Sequence, residues 1–204
     1  TPINPTPVIG MVGKIDNVEK ATSSEWKKFN DQIWLIGSSK SEITISASSY
    51  LEYFHGEITG RPPKIDLLDE KYCQSFLRNG ILNSFVVSSH DISDGGLAIA
   101  LAECCILSQK GATIQLQKDH NRDDNLLFAE GGSRIIFSID QTKEKEWHNY
   151  LKNIQINAQS SIYLKKIGYV SSETFKIKIQ DKNICNIRVE ELTEKFNNSI
   201  SGHF

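Results

Sequence analysis

Residues 85–103 read FVVSSHDISDGGLAIALAE and join an apolar, strand-like run to an apolar, helix-like run. The run FVVSSH alternates less than a half-exposed strand should, so we expect a strand in the centre of a sheet. The following segment, from Gly95 to about Gln109, is apolar on nearly every side, which predicts a buried helix. Asp94 or Ser93 is expected to cap this helix with its side-chain oxygen. The stretch therefore predicts a strand, a short polar turn and a helix.

The glycine pair in this turn needs a physical reason. Gly95 and Gly96 fall in the first turn of the predicted helix, where each glycine costs up to about 1 kcal/mol relative to alanine. Either the backbone packs closely against another segment, or bare amides face a ligand anion. Asp91, Ser93 and Asp94 add oxygens that suit Mg²⁺ together with phosphate groups. The spacing alone leaves both a tightly packed, ligand-free turn and a phosphate and metal site open.

The segments on either side of this stretch indicate the fold class. Strand, helix and strand patterns follow one another over 85–117 and again over 134–170, which is typical of two split β-α-β units. Residues 174–189 predict a β-hairpin with a polar turn. These patterns predict an α+β domain with helices packed on a mixed or antiparallel sheet. A helix over 66–82 with Asp66 as N-cap and a short helix that ends at Gly56 are also expected.

The first residues form a separate unit in this interpretation. Residues Val8–Ile15 (VIGMVGKI) are expected to form a strand that stands apart from the main domain. The chain begins TPINPTP without an initiator methionine, which suggests a piece of a longer protein. We therefore assign 1–23 to the tail of a preceding domain plus a linker, and 24–204 to one domain. A strand without its sheet could pair with a second copy, so a homodimer of the chain is a further expectation.

Composition narrows the classes of partner. The 204 residues carry a net charge of −2, with no dense basic stripe that would indicate nucleic-acid binding. No apolar run approaches a membrane span of about 18 residues, and no signal peptide is visible, so we expect a cytoplasmic protein. The four cysteines lack CxxC spacing and are expected to be reduced and mostly buried. Histidines outside the turn are expected to be structural or solvated: His55, His120, His148 and His203.

Several motifs resemble one enzyme family. HDISDGGLAIALAE resembles the HDxSDGGLxxALAE signature of the synthetase subunit of phosphoribosylformylglycinamidine synthases, within the aminoimidazole ribonucleotide synthetase-like superfamily. PTPVIGMVGKIDN, SSYLEYFHGEITGRPPKIDLLDEK and LLFAEGGSRIIFSI resemble further segments of that family, in the same order. The matches run from Thr6 to about Ile139. The resemblance implies an aminoimidazole ribonucleotide synthetase C-terminal-domain-like fold.

The resemblance also implies chemistry, ligands and partners. Members of the family convert formylglycinamide ribonucleotide to its amidine in de novo purine synthesis, with ATP, Mg²⁺ and ammonia from glutamine. Asp91 then corresponds to a position that can ligate Mg²⁺, and the nucleotide-binding positions are Ser93, Asp94, Gly95 and Gly96. The implied cofactors are Mg²⁺ and ATP or ADP. The implied partners are the rest of the synthetase chain and a glutaminase subunit or domain.

Two departures from the family pattern suggest a half that does not turn over substrate. Glu130, Gly131 and Gly132 replace the family's ESQ, and Ser46, Ala47 and Ser48 replace residues of its ELGGSEYL segment. We therefore expect no catalytic residue here, only an auxiliary nucleotide and Mg²⁺ half-site that is inactive alone. Two alternatives remain: a non-catalytic packing or interaction domain, and the C-terminal domain of a related ATP-dependent small-molecule kinase.

Overall fold

A computed structural model describes residues 8–118, 122–153 and 161–199 of the chain. Its strands are β1 (Gln32–Ser38), β2 (Val86–Asp91), β3 (Gly111–Leu116), β4 (Arg134–Ile139), β5 (Ile162–Ser171), β6 (Thr174–Ile179) and β7 (Lys182–Arg188). Its helices are α1 (Ser49–His55), α2 (Leu67–Leu82), α3 (Gly96–Ser108), α4 (Asp123–Phe128), α5 (Glu144–Asn153) and α6 (Val189–Asn198).

The seven strands form one mixed sheet in the order β2-β4-β1-β5-β3-β6-β7. All neighbouring pairs are antiparallel except β3 and β6, which are parallel. The α5 crossover leaves β1 between β4 and β5, and the α3 crossover leaves three strands between β2 and β3. Both predicted β-α-β units are therefore split, as expected. The predicted α+β class and the β6–β7 hairpin are confirmed.

Side chains from the two faces of the sheet build two hydrophobic clusters. One cluster joins α3 to β3 and β6, with Leu101 and Ile114 fully buried. The other packs α2 and α5 against β1 and β4 around Trp147, which is also fully buried. Because successive side chains of a strand point to opposite faces, the central strands β1, β4 and β5 supply both clusters.

The predicted caps of the two upstream helices are confirmed. The Asp66 carboxylate accepts hydrogen bonds from the Leu68 and Asp69 amides, 3.0 and 2.9 Å away, at the start of α2. Gly56 ends α1 in the left-handed conformation, with φ of +68°. Glycine adopts this conformation without the steric cost that a Cβ brings.

The expected central position of the FVVSSH strand is wrong. β2 lies at one end of the sheet, and among the described strands it pairs only with β4. Its Ser88 hydroxyl is buried and lies 2.5 Å from the Ser138 hydroxyl of β4, so the two polar groups satisfy each other across the pair. The low alternation of β2 reflects cover by helices on both faces.

The expected strand at Val8–Ile15 is also absent. Residues 8–15 contain no strand or helix, and their large apolar side chains are exposed, with Val12 fully accessible. A 3-10 turn at Val18–Lys20 follows, and Trp26 is the first residue buried in the main core. The division of the chain at residue 23 stays a prediction.

The cysteines are free, as expected. Cys73, Cys104 and Cys105 are buried and Cys185 is half-buried. Burial raises the pKa of the Cys73 and Cys105 thiols to about 12, so neither is a thiolate near neutral pH. Within the described ranges, no helix is both long and apolar enough to cross a membrane.

The histidines occupy ordinary positions where they are described. His148 lies in α5 with its Nδ1 2.8 Å from the Glu144 carbonyl oxygen, and His55 is the last residue of α1. His120 and His203 lie outside the described residues.

Candidate functional site

The turn between β2 and α3 places the glycine pair at the start of the helix. Gly95 is the N-cap residue with φ of +76°, and Gly96 is the first helical residue with φ of +72°. The N-cap residue Gly95 makes no side-chain capping bond to α3, and both Ser93 and Asp94 are exposed. The prediction that Ser93 or Asp94 caps this helix is therefore wrong. Two consecutive residues with positive φ favour glycine at both positions.

The Gly95 amide is bound by a carboxylate of the same chain. Gly95 donates its backbone N–H to Oε1 of Glu130 at 2.8 Å. The same oxygen accepts the amide of Ser49, in the first turn of α1, at 2.9 Å. A negative charge at a helix N-terminus stabilises the helix dipole. Glu130 therefore takes the place that a ligand anion would occupy at this amide.

The Gly96 position is packed against backbone. Its own amide donates to the Ser93 carbonyl oxygen at 3.1 Å. A Cβ at Gly96 would lie 2.7 Å from the Ala129 carbonyl oxygen and 2.8 Å from the Cα of Phe128. Neither atom is the end of a flexible side chain, so the space cannot open cheaply. This contact supports close packing, the first of the two reasons given above for the glycine pair.

Asp91 and its neighbour His90 line the same cavity at the end of β2, with the His90 Nδ1 atom 3.7 Å from Oδ1 of Asp91. The His90 Nε2 atom is 3.3 Å from Oε2 of Glu103 in α3, so His90 faces that helix. The Asp91 side chain is 78% exposed. It lines a shallow cavity of about 360 Å³ with Leu77 of α2.

The described residues do not form a complete protein cage for a magnesium ion. In the part of the chain that the structure describes, no three His, Cys, Asp or Glu side chains come together to hold a metal. Mg²⁺ is commonly bound by one or two carboxylates completed by water and phosphate oxygens. Asp91 can supply one such carboxylate. The assignments of Asp91 to metal and of Ser93, Asp94, Gly95 and Gly96 to nucleotide stay predictions.

Glu130 contacts this turn, and the sequence did not predict that contact. It follows α4 and pairs backbone to backbone with Thr44 as an isolated antiparallel bridge. Glu130 is 35 residues from Gly95 in the chain, and no local pattern connects them. In the sequence, Glu130 stood out only because it belongs to the segment that resembles the family's ESQ motif. That segment indicated a departure from the family pattern and did not indicate a contact with Gly95.

The mixed sheet and the glycine turn between β2 and α3 define a class of domain. Residues 29–160 match the family described as "AIR synthase related protein, C-terminal domain", and the chain belongs to this family. The match ends before β5, so the last three strands and α6 lie beyond it.

Whole-chain relatives are more specific. Over all 204 residues the chain is 85% identical to "Phosphoribosylformylglycinamidine synthase subunit PurL" of Prochlorococcus marinus strain MIT 9312, of which it covers 26%. The protein of the same name from strain NATL1A is 42% identical over 98% of this chain. The chain thus spans about a quarter of the length of these curated relatives.

Solved structures agree in fold. "T. maritima PurL complexed with FGAR" is similar over 86% of this chain and 30% of that one, with a TM-score of 0.67 and 14% identity. At this identity the likeness shows the fold alone.

Proposed function

We propose that this chain is the C-terminal quarter of a phosphoribosylformylglycinamidine synthase, an ATP- and glutamine-dependent ligase. The parent would convert formylglycinamide ribonucleotide to formylglycinamidine ribonucleotide in de novo purine biosynthesis. The observation that carries the proposal is the 85% identity, without a gap in coverage, to a relative of that name. A functional change is uncommon when identity of this level extends over every element of the fold.

Within the parent enzyme, this chain would form a part that makes or breaks no bond of the substrates. Glu130, Gly131 and Gly132 stand where the family segment carries ESQ, and the Glu130 carboxylate is already bound to two amides. The described cysteines have raised pKa values and are poor nucleophiles. We assign no catalytic residue to this chain.

The auxiliary half-site would use the exposed side chains of the turn. Ser93 and Asp94 are accessible to a nucleotide, while the amides of Gly95 and Gly96 are occupied. Solved structures titled as T. maritima PurL with ATP, with ADP and with AMPPCP make a nucleotide a reasonable ligand for the parent. Magnesium, when bound, neutralises phosphate charge, and Asp91 would hold it through one carboxylate oxygen.

The rest of the synthetase chain is the partner that the surface favours. Exposed apolar side chains occur in residues 8–18, in α1 and in the first turn of α2, including Tyr53, Phe54, Leu67 and Leu68. Apolar groups exposed in this number are typical of an interface. A glutaminase subunit or domain would supply ammonia to the parent, which we place in the cytoplasm. A homodimer of the isolated chain through residues 8–15 also stays a proposal.

A second candidate is a packing domain without a ligand. The Gly96 contact with Phe128 and Ala129 explains the glycine at that position without a nucleotide. In this version the chain would still belong to the ligase, but it would only support the neighbouring domains. The auxiliary half-site and the packing domain differ in the role that they give to Asp91.

A chain exchange tests the ligase proposal. The matching quarter of the strain MIT 9312 protein is replaced by this chain, and conversion of formylglycinamide ribonucleotide is measured with Mg²⁺-ATP and ammonia. Because 85% of positions are identical, we expect a rate within about threefold of the unmodified relative, which corresponds to less than about 1 kcal/mol. A folded hybrid that forms no product, while the relative remains active, would reject the proposal.

Replacement of Asp91 by asparagine distinguishes the half-site from the packing domain. In the full-length protein we expect Asp91→Asn to weaken Mg²⁺-dependent nucleotide binding about tenfold, because one charged metal ligand is lost. The melting temperature should change little, since the side chain is 78% exposed. Calorimetric titration of nucleotide with and without Mg²⁺ measures this, with Asp181→Asn, at the exposed β6–β7 turn, as the matched control. Equal affinity of Asp91→Asn and wild type would favour the packing domain.

A further inference from the structure

A second, larger cavity lies on the α3 side of the sheet, away from Asp91. Its volume is about 600 Å³, within the range of small-molecule sites. The floor comes from β1, β4 and β5, and the walls come from α3, α4 and the end of β3. None of the predicted site residues at positions 91 and 93–96 lines it. The cavity is therefore distinct from the turn described above.

Arg134 carries a buried charge into this cavity. Arg134 is only 5% exposed, and its Nη2 donates a hydrogen bond to the Ala129 carbonyl oxygen at 2.5 Å. Nε is buried and has no hydrogen-bond partner among the described residues. Those residues also give Arg134 no carboxylate within ion-pair distance. Burial lowers the pKa of this guanidinium, which reflects the cost of desolvating an unpaired charge.

Neighbouring groups on the same face of the sheet add donors. Gly37 of β1 pairs with Arg134 on one side and with Tyr163 on the other. The Tyr163 ring and hydroxyl lie over Gly37, in the space that a Cβ would occupy there. Lys165, two residues further along β5, places its ammonium 5.3 Å from the centre of the Tyr163 ring. Arg134, Tyr163 and Lys165 therefore point into one compartment.

The balance of charge in the cavity is positive. The described lining contains arginine and lysine but no aspartate or glutamate. Lys118 at the rim pairs with Asp123 at 3.2 Å, so its charge is partly neutralised. The nearby Glu130 acts on Arg134 at longer range, but its Oε1 already accepts two amides. Apolar side chains, including Leu97 and Leu126, cover the opposite wall.

We propose that this cavity binds a small phosphorylated molecule, with its phosphate held by Arg134 and Lys165 and its apolar part against Leu97 and Leu126. An oxyanion in the cavity beside the guanidinium would neutralise the buried, unpaired charge of Arg134. The volume exceeds what a phosphate alone fills, so the ligand carries a further group about the size of a ring. The site is independent of the proposed ligase activity.

Lysine labelling locates binding within the full-length protein. Lys165 is exposed enough to react with an acylating reagent, and mass spectrometry reads each lysine separately. We expect about 10 mM inorganic phosphate to slow acylation of Lys165 about threefold. Phenyl phosphate should give the same protection at about one fifth of the concentration, because its ring adds apolar burial. Lys145 is the internal control, since it is exposed on α5 and does not line the cavity.

Three variants complete the test in the same full-length protein. Lys165→Gln should weaken phenyl phosphate binding, measured by calorimetry, about fivefold, whereas Lys145→Gln, outside the cavity, should leave it unchanged. Arg134→Met should abolish binding. If Arg134→Met does not fold, the Lys165→Gln and labelling results decide alone. No protection of Lys165 by either probe, or equal effects of the two lysine variants, would overturn the site.

Discussion

Alanine at position 96 is expected to lower the free energy of unfolding by about 3 to 5 kcal/mol, which for a chain of this size corresponds to a fall in melting temperature of about 10 °C. Two costs combine. The residue is held at φ of +72°, where a Cβ costs about 1 to 2 kcal/mol. The new methyl group would also meet the backbone of Phe128 and Ala129 at 2.7 to 2.8 Å. Those atoms can move only if α4 shifts away from α3.

Gly56→Ala is the matched control for this experiment. Gly56 has nearly the same backbone conformation, with φ of +68°, but a Cβ there would meet no atom within 4 Å. Its replacement should therefore show the conformational cost alone, about 1 kcal/mol. Thermal and denaturant unfolding of both variants measure the difference. If the two substitutions cost the same, the close contact does not explain the glycine, and a ligand at α3 becomes the better explanation.

The predictions that succeeded are those that depend on neighbouring residues. The Asp66 cap and the Gly56 stop each involve groups within four positions in the chain, so a local pattern contains the needed information. The split β-α-β units likewise follow from the order of strand and helix patterns. The fold class could therefore be predicted from the sequence.

The predictions that failed depend on segments distant in the chain. β2 lies at the end of the sheet because β4, which begins 43 residues after the last residue of β2, is inserted between β2 and β1. The anion at Gly95 comes from Glu130, so the expected cap by Ser93 or Asp94 was not needed. The segment Val8–Ile15 has the composition of a strand, but no described strand pairs with it. Sequence patterns give the elements of this fold, whereas tertiary packing decides which groups meet.

The buried Arg134 illustrates the same limit at the second cavity. Arg134 is the first residue of β4, and an arginine at the start of an apolar strand is usually expected on the surface. Its 95% burial depends on α3, α4 and β5 together. No sequence pattern indicated that its Nε would lack a partner. For this reason the cavity is visible only in the folded chain.

The isolated 204-residue chain is expected to bind Mg²⁺-ATP no more tightly than about 1 mM, and to hydrolyse none. Micromolar binding requires about 8 kcal/mol, whereas millimolar binding requires about 4 kcal/mol. The Gly95 and Gly96 amides already donate to Glu130 and Ser93, so an incoming phosphate gains little from the α3 N-terminus. The Asp91 carboxylate repels phosphate unless a metal arrives with it. The exposed Ser93 and Asp94 side chains leave most of a nucleotide without contacts.

The matched measurement uses the full-length protein, in which this chain is joined to the other three-quarters. If the remaining contacts to base, ribose and phosphates come from those domains, calorimetry should show affinity at least about a hundredfold tighter than for the isolated chain. The apolar side chains exposed on α1 and at the start of α2 would be covered in that protein, which would hold the turn against its neighbour. Submicromolar affinity of the isolated chain, or ATP hydrolysis that persists after repurification, would contradict this expectation. Either result would show that the turn forms a complete site, as the kinase alternative requires.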